Sequence, residues 1–165
     1  MDFEVYVTSW ARYNEGEAGK FITISNYMDN EDLRELLIKE GFDLDGRDEE
    51  MVIHDWMDGD VFKLGECSPW EALEVIECIN SEDDLMIYKA IAEEHGEWTA
   101  KEALNTGFEN YMFIKGGTAR DYKEEMVRDC HDIPDYLSNY IDWEQMAEDD
   151  DSLYENEDGL LVTFC

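Results

Sequence analysis

IPDYLSNYIDWEQMAEDDDSLYENEDGLLVTFC, residues 133–165, is the stretch of sequence that decides the fold. Aromatic and aliphatic residues alternate there with acids at close spacing, as in Tyr140, Asp142 and Trp143. A disordered acidic tail would lack such large apolar groups, because disordered segments are poor in aromatic residues. The stretch therefore predicts a folded, packed segment with an almost purely negative surface, and no Lys or Arg follows Arg128.

The same mixture of apolar and acidic residues extends along the whole chain. Its 165 residues include 44 Asp and Glu but only 12 Lys and Arg, which gives a formal net charge of -32. Small domains need a net charge of only about 2–8 for solubility, and a larger charge opposes compaction by self-repulsion. We interpret the charge as the function, directed at a basic partner. The alternative interpretation is a merely soluble or halophile-like surface.

Residues 1–60 predict one helix on a small antiparallel sheet. Alternating and β-branched residues predict strands at residues 3–8, 20–25 and 51–55. Asn30 is the expected N-cap of a helix over residues 31–40, and Gly41 follows its end. Loops are predicted around Asn14, Gly16 and Gly19 and over the acidic residues 43–50.

Residues 61–105 predict a helical section. Ser68 and Glu71, with Pro69 between them, form the pattern of a capping box at a helix start. Ser81 is the expected start of a second helix, which Gly96 ends. A further capping box is predicted for a short third helix, from Thr99 to Glu102.

Residues 106–165 predict a return to mixed structure. The sequence favours a strand at 111–115 and then a helix capped by Thr118. The expected apolar stripe of that helix is Ala119, Tyr122, Met126 and Cys130. Two short helices are expected to open at Pro134 and Asp142, followed by a hairpin of residues 152–156 and 160–164.

The predicted fold is therefore α+β and elongated, with three small sections in a row: an N-terminal α+β domain (1–60), a central helical domain (61–105) and a C-terminal α+β domain (106–165). The charge is spread over all three, with 17 acids and 5 bases, 11 and 3, and 16 and 4, respectively. Duplex DNA carries one negative charge per ~1.7 Å of axis, so the net charge of this chain corresponds to about 16 base pairs. Three sections in a row could reach that linear charge density.

Carboxylates of all three sections are expected to form the surface that binds the partner. They are Asp29, Glu31, Asp32, Asp43, Asp45, Asp48, Glu49, Glu50, Asp58, Asp60, Glu71, Glu74, Glu77, Glu82, Asp83, Asp84, Glu93, Glu94, Glu109, Asp121, Glu124, Glu125, Asp129, Asp132, Asp135, Glu148, Asp149, Asp150 and Asp151. Twelve bases scattered among 44 acids form no useful basic patch, which disfavours direct binding of nucleic acid.

Motifs for other functions are weak or missing. Residues 43–46 and 58–60 faintly suggest Ca²⁺ loops but lack the EF-hand pattern, and the three His residues are scattered. The sequence has no GxSxG, Walker A or GxGxxG motif, and we expect no catalytic residue, metal or cofactor. No apolar run reaches the ~20 residues of a membrane span. The acidic N-terminus and four Cys without CxxC spacing favour a reduced, cytoplasmic protein.

Three stretches carry a resemblance to a known family: VYVTSWARYNEGEAGKFITI (5–24), MVIHDW (51–56) and ARDYKEEMVRDCHDIPDYLSNYIDWEQMAED (119–149). They resemble the ArdA antirestriction proteins. The resemblance implies a non-catalytic DNA mimic, carried on mobile elements, that occupies the DNA-binding groove of type I restriction-modification enzymes and blocks them. It also implies an elongated, three-domain, dimeric molecule. It assigns no catalytic role to any single residue.

Two questions stay open at the level of sequence. The target could instead be another basic DNA-binding protein, such as a nucleoid protein or a polymerase, and a carboxylate-based enzyme is a more distant alternative. The apolar residues Leu160, Leu161, Val162 and Phe164 predict an uncovered strand that pairs with a second copy in a homodimer. Otherwise this strand lies inside its own sheet.

Overall fold

The computed structural model describes residues 1–164 and shows an α+β architecture with two separate antiparallel sheets, which confirms the predicted fold class. The strands are β1 (Asp2–Ser9), β2 (Lys20–Ser25), β3 (Met51–Trp56), β4 (Tyr111–Lys115), β5 (Leu153–Asn156) and β6 (Gly159–Thr163). The helices are α1 (Trp10–Asn14), α2 (Asn30–Lys39), α3 (Pro69–Ile76), α4 (Glu82–His95), α5 (Glu97–Asn105), α6 (Ala119–Cys130), α7 (Asp135–Ser138) and α8 (Trp143–Glu148).

The first sheet has the strand order β2-β1-β3. Its register places Val5 opposite Ile22 and Val7 opposite Ile53, and all four side chains are buried. The alternation of β1 thus directs one face of the sheet into a core, as the sequence predicted. Helix α3 packs against β2, β3 and α2 and covers this core.

The second sheet has the strand order β4-β6-β5, so β6 is its central strand. A two-residue turn joins β5 to β6, and Gly159, the first residue of β6, has a φ of +154°. A Cβ at this position would lie 2.3 Å from the carbonyl oxygen of Ile114, so only glycine lets β4 approach β6 this closely.

The central position of β6 corrects the predicted dimer strand. Leu160, Leu161 and Val162 are each at most 3% exposed, and β6 pairs with β4 on one side and β5 on the other. Because both edges of the strand are already paired, it cannot add a strand from a second copy. Phe164, just beyond β6, is exposed.

The central helices contact both sheets. Helix α4 packs against α5 and against β4, β5 and β6, while α3 packs on the first sheet. Buried apolar residues form one cluster that begins at Val5, includes Tyr88 of α4 and reaches Leu161 of β6. The three-domain division remains a prediction from the sequence.

Three local predictions were wrong. Residues 10–14 form a helix instead of part of a loop, because the Ser9 side chain accepts a hydrogen bond from the Arg12 amide and caps it. Asp29, not Asn30, caps α2, since its carboxylate accepts from the Asp32 amide and Asp32 completes the capping box. Helix α5 begins at Glu97 without the predicted capping box.

Helix α6 also departs from its predicted packing. None of its residues is buried, although it packs against α8. Ala119 and Tyr122 of the predicted stripe are half-buried, whereas Met126 is 43% exposed and Cys130 is exposed. The C-terminal half of this stripe therefore faces outward.

Candidate acidic interaction surface

Most of the predicted partner-binding carboxylates do reach the surface. Of the 29 acids named in the sequence analysis, 24 are exposed, and they occur in all three predicted sections. Four are half-buried: Asp60, Asp84, Glu124 and Asp150. Asp48 is fully buried, so its place on the predicted surface was wrong.

Asp48 has a structural role in the first sheet. Its carboxylate accepts hydrogen bonds from the Arg12 guanidinium at 2.9 and 3.0 Å and from the Ser9 hydroxyl at 2.6 Å. The Asp43 amide donates a further bond at 2.8 Å. Burial by itself raises the pKa of Asp48, but the hydrogen bonds from Arg12, Ser9 and Asp43 lower that pKa to about 2. The cluster fixes the acidic loop 43–50 to β1 and α1.

Asp150 holds a similar but less buried position in the C-terminal section. It accepts a hydrogen bond from the Lys123 ammonium at 2.6 Å and another from the Ser152 amide. The bond from Lys123 comes first among the causes that lower the pKa of Asp150 to about 2. This ion pair connects α6 to the segment that leads into β5.

The other three half-buried acids stabilise local backbone or basic residues. Asp60 accepts from the amides of Leu64 and Gly65, which closes a turn after β3. Asp84 accepts from the Ser81 amide in the capping box of α4, and Glu124 pairs with Arg128. Each of the five predicted acids that are buried or half-buried therefore has a partner within the protein.

Helix starts account for part of the acid content. The first turn of α2 contains Glu31 and Asp32, and the first turn of α4 contains Glu82, Asp83 and Asp84. Negative groups at a helix N-terminus are stabilised by the helix dipole, by roughly 0.3–1 kcal/mol each. At these positions the helix dipole offsets part of the repulsion between neighbouring acids.

Most of the positive charge is neutralised inside the protein. Eight of the twelve basic side chains lie within 4.0 Å of a carboxylate oxygen: Arg12, Arg34, Arg47, Lys89, Lys101, Arg120, Lys123 and Arg128. Within the described residues, no ion pair involves Lys20, Lys39, Lys63 or Lys115. The exposed surface consequently keeps its negative field along the chain.

A cleft beside α6 gathers acids that the sequence did not single out. It has a volume of about 560 Å³, and Glu144 and Glu155 line it together with the predicted Asp121 and Glu148. Arg120 also lines the cleft and pairs with Asp121 at 2.7 Å. A long-range approach of α6, α8 and β5 creates this grouping, and no spacing in the sequence reveals it.

The described Cys and His residues give no sign of a metal site or of an activated thiol at Cys67. Among residues 1–164, no three His, Cys, Asp or Glu side chains lie close enough together to hold a metal ion. Burial raises the pKa of the Cys67 thiol to about 12, so that thiol is protonated and non-nucleophilic near neutral pH. His54 lies beside Trp10 and Tyr13, at ring-centroid distances of 5.5 and 4.9 Å.

Several large aromatic side chains are exposed among these acids. Tyr27 is 79% exposed, Trp98 72%, Tyr136 72% and Tyr140 87%. Aromatic residues in the sequence predicted a core, and their exposure was not predicted. The surface is therefore both acidic and aromatic.

The fold and the surface define a class of protein: a small α+β protein whose candidate site is a dispersed carboxylate surface. Among residues 1–164, no helix is long and apolar enough to cross a bilayer. The chain belongs to the ArdA antirestriction protein family, since the model of that family, described as antirestriction protein (ArdA), matches residues 5–162. A comparison with curated proteins gives no match.

Family membership confirms the resemblance noted on residues 5–24, 51–56 and 119–149. It implies an antirestriction function for this chain, as an inhibitor. It also implies a restriction-modification enzyme as the general kind of partner.

Proposed function

We propose that this protein is a DNA mimic that occupies the DNA-binding groove of a type I restriction-modification enzyme. The observation that carries the proposal is the distribution of charge: 24 predicted carboxylates are exposed along the chain, while eight of twelve bases are paired internally. A groove that binds DNA is lined with Lys and Arg. Exposed carboxylates stand in for phosphates in such a groove.

The mechanism is competition by summed electrostatics. Negative charge spread over a surface raises the association rate with a basic groove, and this steering weakens as salt increases. Of the 29 predicted carboxylates, 15 lie on helices and 14 lie in the loops of a packed α+β fold. No energy is then spent on bending a duplex, a cost of roughly 1–6 kcal/mol for a bent site of 20–30 base pairs.

We further propose that the protein is a homodimer, with an interface other than the predicted strand β6. Helices α6 and α7 and the turn after α7 carry exposed apolar side chains. They are Met126, Tyr136, Leu137 and Tyr140. Burial of these groups against a second copy would remove apolar surface from water and lengthen the acidic surface.

The decisive experiment is the retardation of a labelled target duplex by a type I methyltransferase in the presence of increasing amounts of this protein. We expect the protein to release the duplex in proportion to its concentration, and less effectively at higher salt. Bovine serum albumin at equal concentration controls for a general protein effect. An intact DNA complex at excess protein would falsify the proposal.

A second measurement separates the alternative targets. The same displacement experiment with a nucleoid protein and with a polymerase tests whether any basic DNA-binding protein is captured. Equal displacement from all three would identify a general sequestering protein. Selective displacement from the methyltransferase supports the groove of that enzyme as the target.

A further inference from the structure

A cleft beside α2 combines an exposed aromatic ring with apolar and acidic walls. It has a volume of about 620 Å³, which lies within the usual range of ligand pockets. Tyr27, Met28 and Leu36 supply its apolar surface, and Asp32 and Glu35 supply its carboxylates. The Tyr27 ring is 79% exposed, so little of its surface is used for the core.

The local structure explains why these groups meet. A turn between β2 and α2 is closed by the Met28 amide, which donates to the carbonyl oxygen of Ser25 at 3.1 Å. This turn places Tyr27 two residues before Asp29, the N-cap of α2. Side chains three or four residues apart share one face of a helix, which brings Asp32, Glu35 and Leu36 to the same side.

The charged groups of the cleft leave it with a net negative charge. Asp32 accepts a hydrogen bond from the Asp29 amide at 3.1 Å in the capping box and stays exposed. Glu35 is exposed on the next turn. Lys39 is the third charged residue of the lining, in the last turn of α2, where a cation suits the helix dipole.

We propose that this cleft receives an arginine side chain of the basic partner, an inference that rests on the function proposed above. The guanidinium lies over the Tyr27 ring and donates to the carboxylates of Asp32 and Glu35. The aliphatic part of the arginine packs on Met28 and Leu36, as long cationic side chains commonly do on apolar surface. Cation–π attraction of this kind contributes binding that depends less on salt than the surrounding field.

The first test is the displacement assay with the methyltransferase at several salt concentrations. Tyr27→Ala should weaken inhibition by about 3- to 30-fold at every salt concentration, and Tyr27→Phe should retain it, because the ring face remains. Glu35→Gln should weaken inhibition mainly at low salt. The matched control is Trp98→Ala, which removes another exposed aromatic side chain and should leave inhibition nearly unchanged. Equal inhibition by Tyr27→Ala and wild type overturns the proposal.

The second test needs no restriction enzyme and so separates the two proposals. Acetyl-arginine amide is titrated into the ¹⁵N-labelled protein, with acetyl-lysine amide and acetyl-glutamine amide as comparisons. We expect shifts of the Tyr27, Met28 and Leu36 amides with the arginine compound, and their loss in Tyr27→Ala. Shifts that survive in Tyr27→Ala, or that are absent in wild type, refute the arginine site. Shifts together with failed displacement of DNA retain the site and reject the proposed target.

Discussion

The two sheets of this protein differ in how completely they bury their apolar residues. In the first sheet, Val5, Val7 and Ile24 are 0% exposed, and a buried ion pair fixes the acidic loop to the sheet. In the second sheet, the central strand β6 is buried, but no residue of β4, β5, α6 or α7 is buried. The first sheet therefore buries more of its strand residues than the second, although both sections expose apolar side chains, such as Phe21 of β2 at 55% and Leu137 of α7 at 43%.

The acids of the molecule also occupy two kinds of position, buried and exposed. Asp48 is an acid inside the protein, and its contribution is to stability through a few short hydrogen bonds. The exposed acids are numerous, and in the function proposed here they contribute to binding through a shared field.

Val162→Asp is expected to have the largest effect. Val162 is 3% exposed in the central strand of the second sheet, so the new carboxylate would be buried without a partner. We expect a loss of about 4 kcal/mol or more in the free energy of unfolding. Urea unfolding followed by tryptophan fluorescence measures it. A variant that is as stable as wild type but monomeric would restore the edge-strand interpretation.

Asp48→Asn is expected to have the next largest effect, in the first sheet. The substitution removes the charge that neutralises Arg12, whose side chain is only 16% exposed. Breaking a buried ion pair by removing one partner costs about 3–5 kcal/mol. Asp150→Asn breaks a more exposed pair and should cost about 1 kcal/mol after solvent screening. Similar losses in the two variants would contradict the contrast between the sheets.

The pH dependence of Asp48→Asn gives an independent measurement. The pKa of Asp48 is about 2 in the folded protein against an ordinary value of 3.8, so its stabilisation is present above pH ~4. It is lost as the pH falls from about 4 to about 2. The stability difference between wild type and variant should therefore be constant near neutral pH and shrink over this window. Low pH also protonates the surface carboxylates and relieves their repulsion. This effect is the same in both proteins, so it cancels from the difference in their stability.

Leu137→Glu tests the exposed apolar surface of the C-terminal section. Leu137 is 43% exposed, so the change should alter the free energy of unfolding of the monomer by less than about 1 kcal/mol. We expect it to shift a wild-type dimer toward monomer in sedimentation at micromolar concentration. Ile38→Glu is the matched control, since Ile38 of α2 is 51% exposed. A wild type that is already monomeric at this concentration contradicts the proposed dimer.

Glu74→Gln should have the smallest effect, on both stability and inhibition. Glu74 is one exposed carboxylate among many, and a surface substitution of this kind usually changes stability by less than about 0.5 kcal/mol. Combined neutralisation of Asp43, Asp45, Glu49 and Glu50 should weaken inhibition stepwise and leave stability equal or higher. A single neutralisation that abolishes inhibition in a folded protein would indicate a discrete site.

Local sequence signals predicted much of the fold. The β-branched residues in 20–25 predicted the bounds of β2 correctly. The predicted strand at 111–115 likewise has the bounds of β4. Ser68, Ser81 and Thr118 cap the helices that they were expected to cap. Strand and cap signals depend on neighbouring residues, which is why they can be read without knowledge of tertiary packing.

The wrong predictions depended on contacts between distant residues, or on signals that were overlooked. Asp48 is buried because Arg12, 36 positions earlier, reaches it, and no composition shows this. The continuous apolar run at 160–162 is typical of a strand buried on both faces and could have placed β6 inside its sheet. The pair Asp29 and Asp32 has the spacing of a capping box and could have placed the start of α2.

The difference between acids that are hydrogen-bonded inside the protein and acids that are exposed has a consequence for how the sequence can diverge. A field made by many carboxylates is preserved when an acid is lost at one exposed position and gained at another. An acid such as Asp48, held by four hydrogen bonds from three residues, has no such substitute. We therefore expect the positions of the exposed acids to vary among relatives. We expect the net negative charge and the buried residues to be retained.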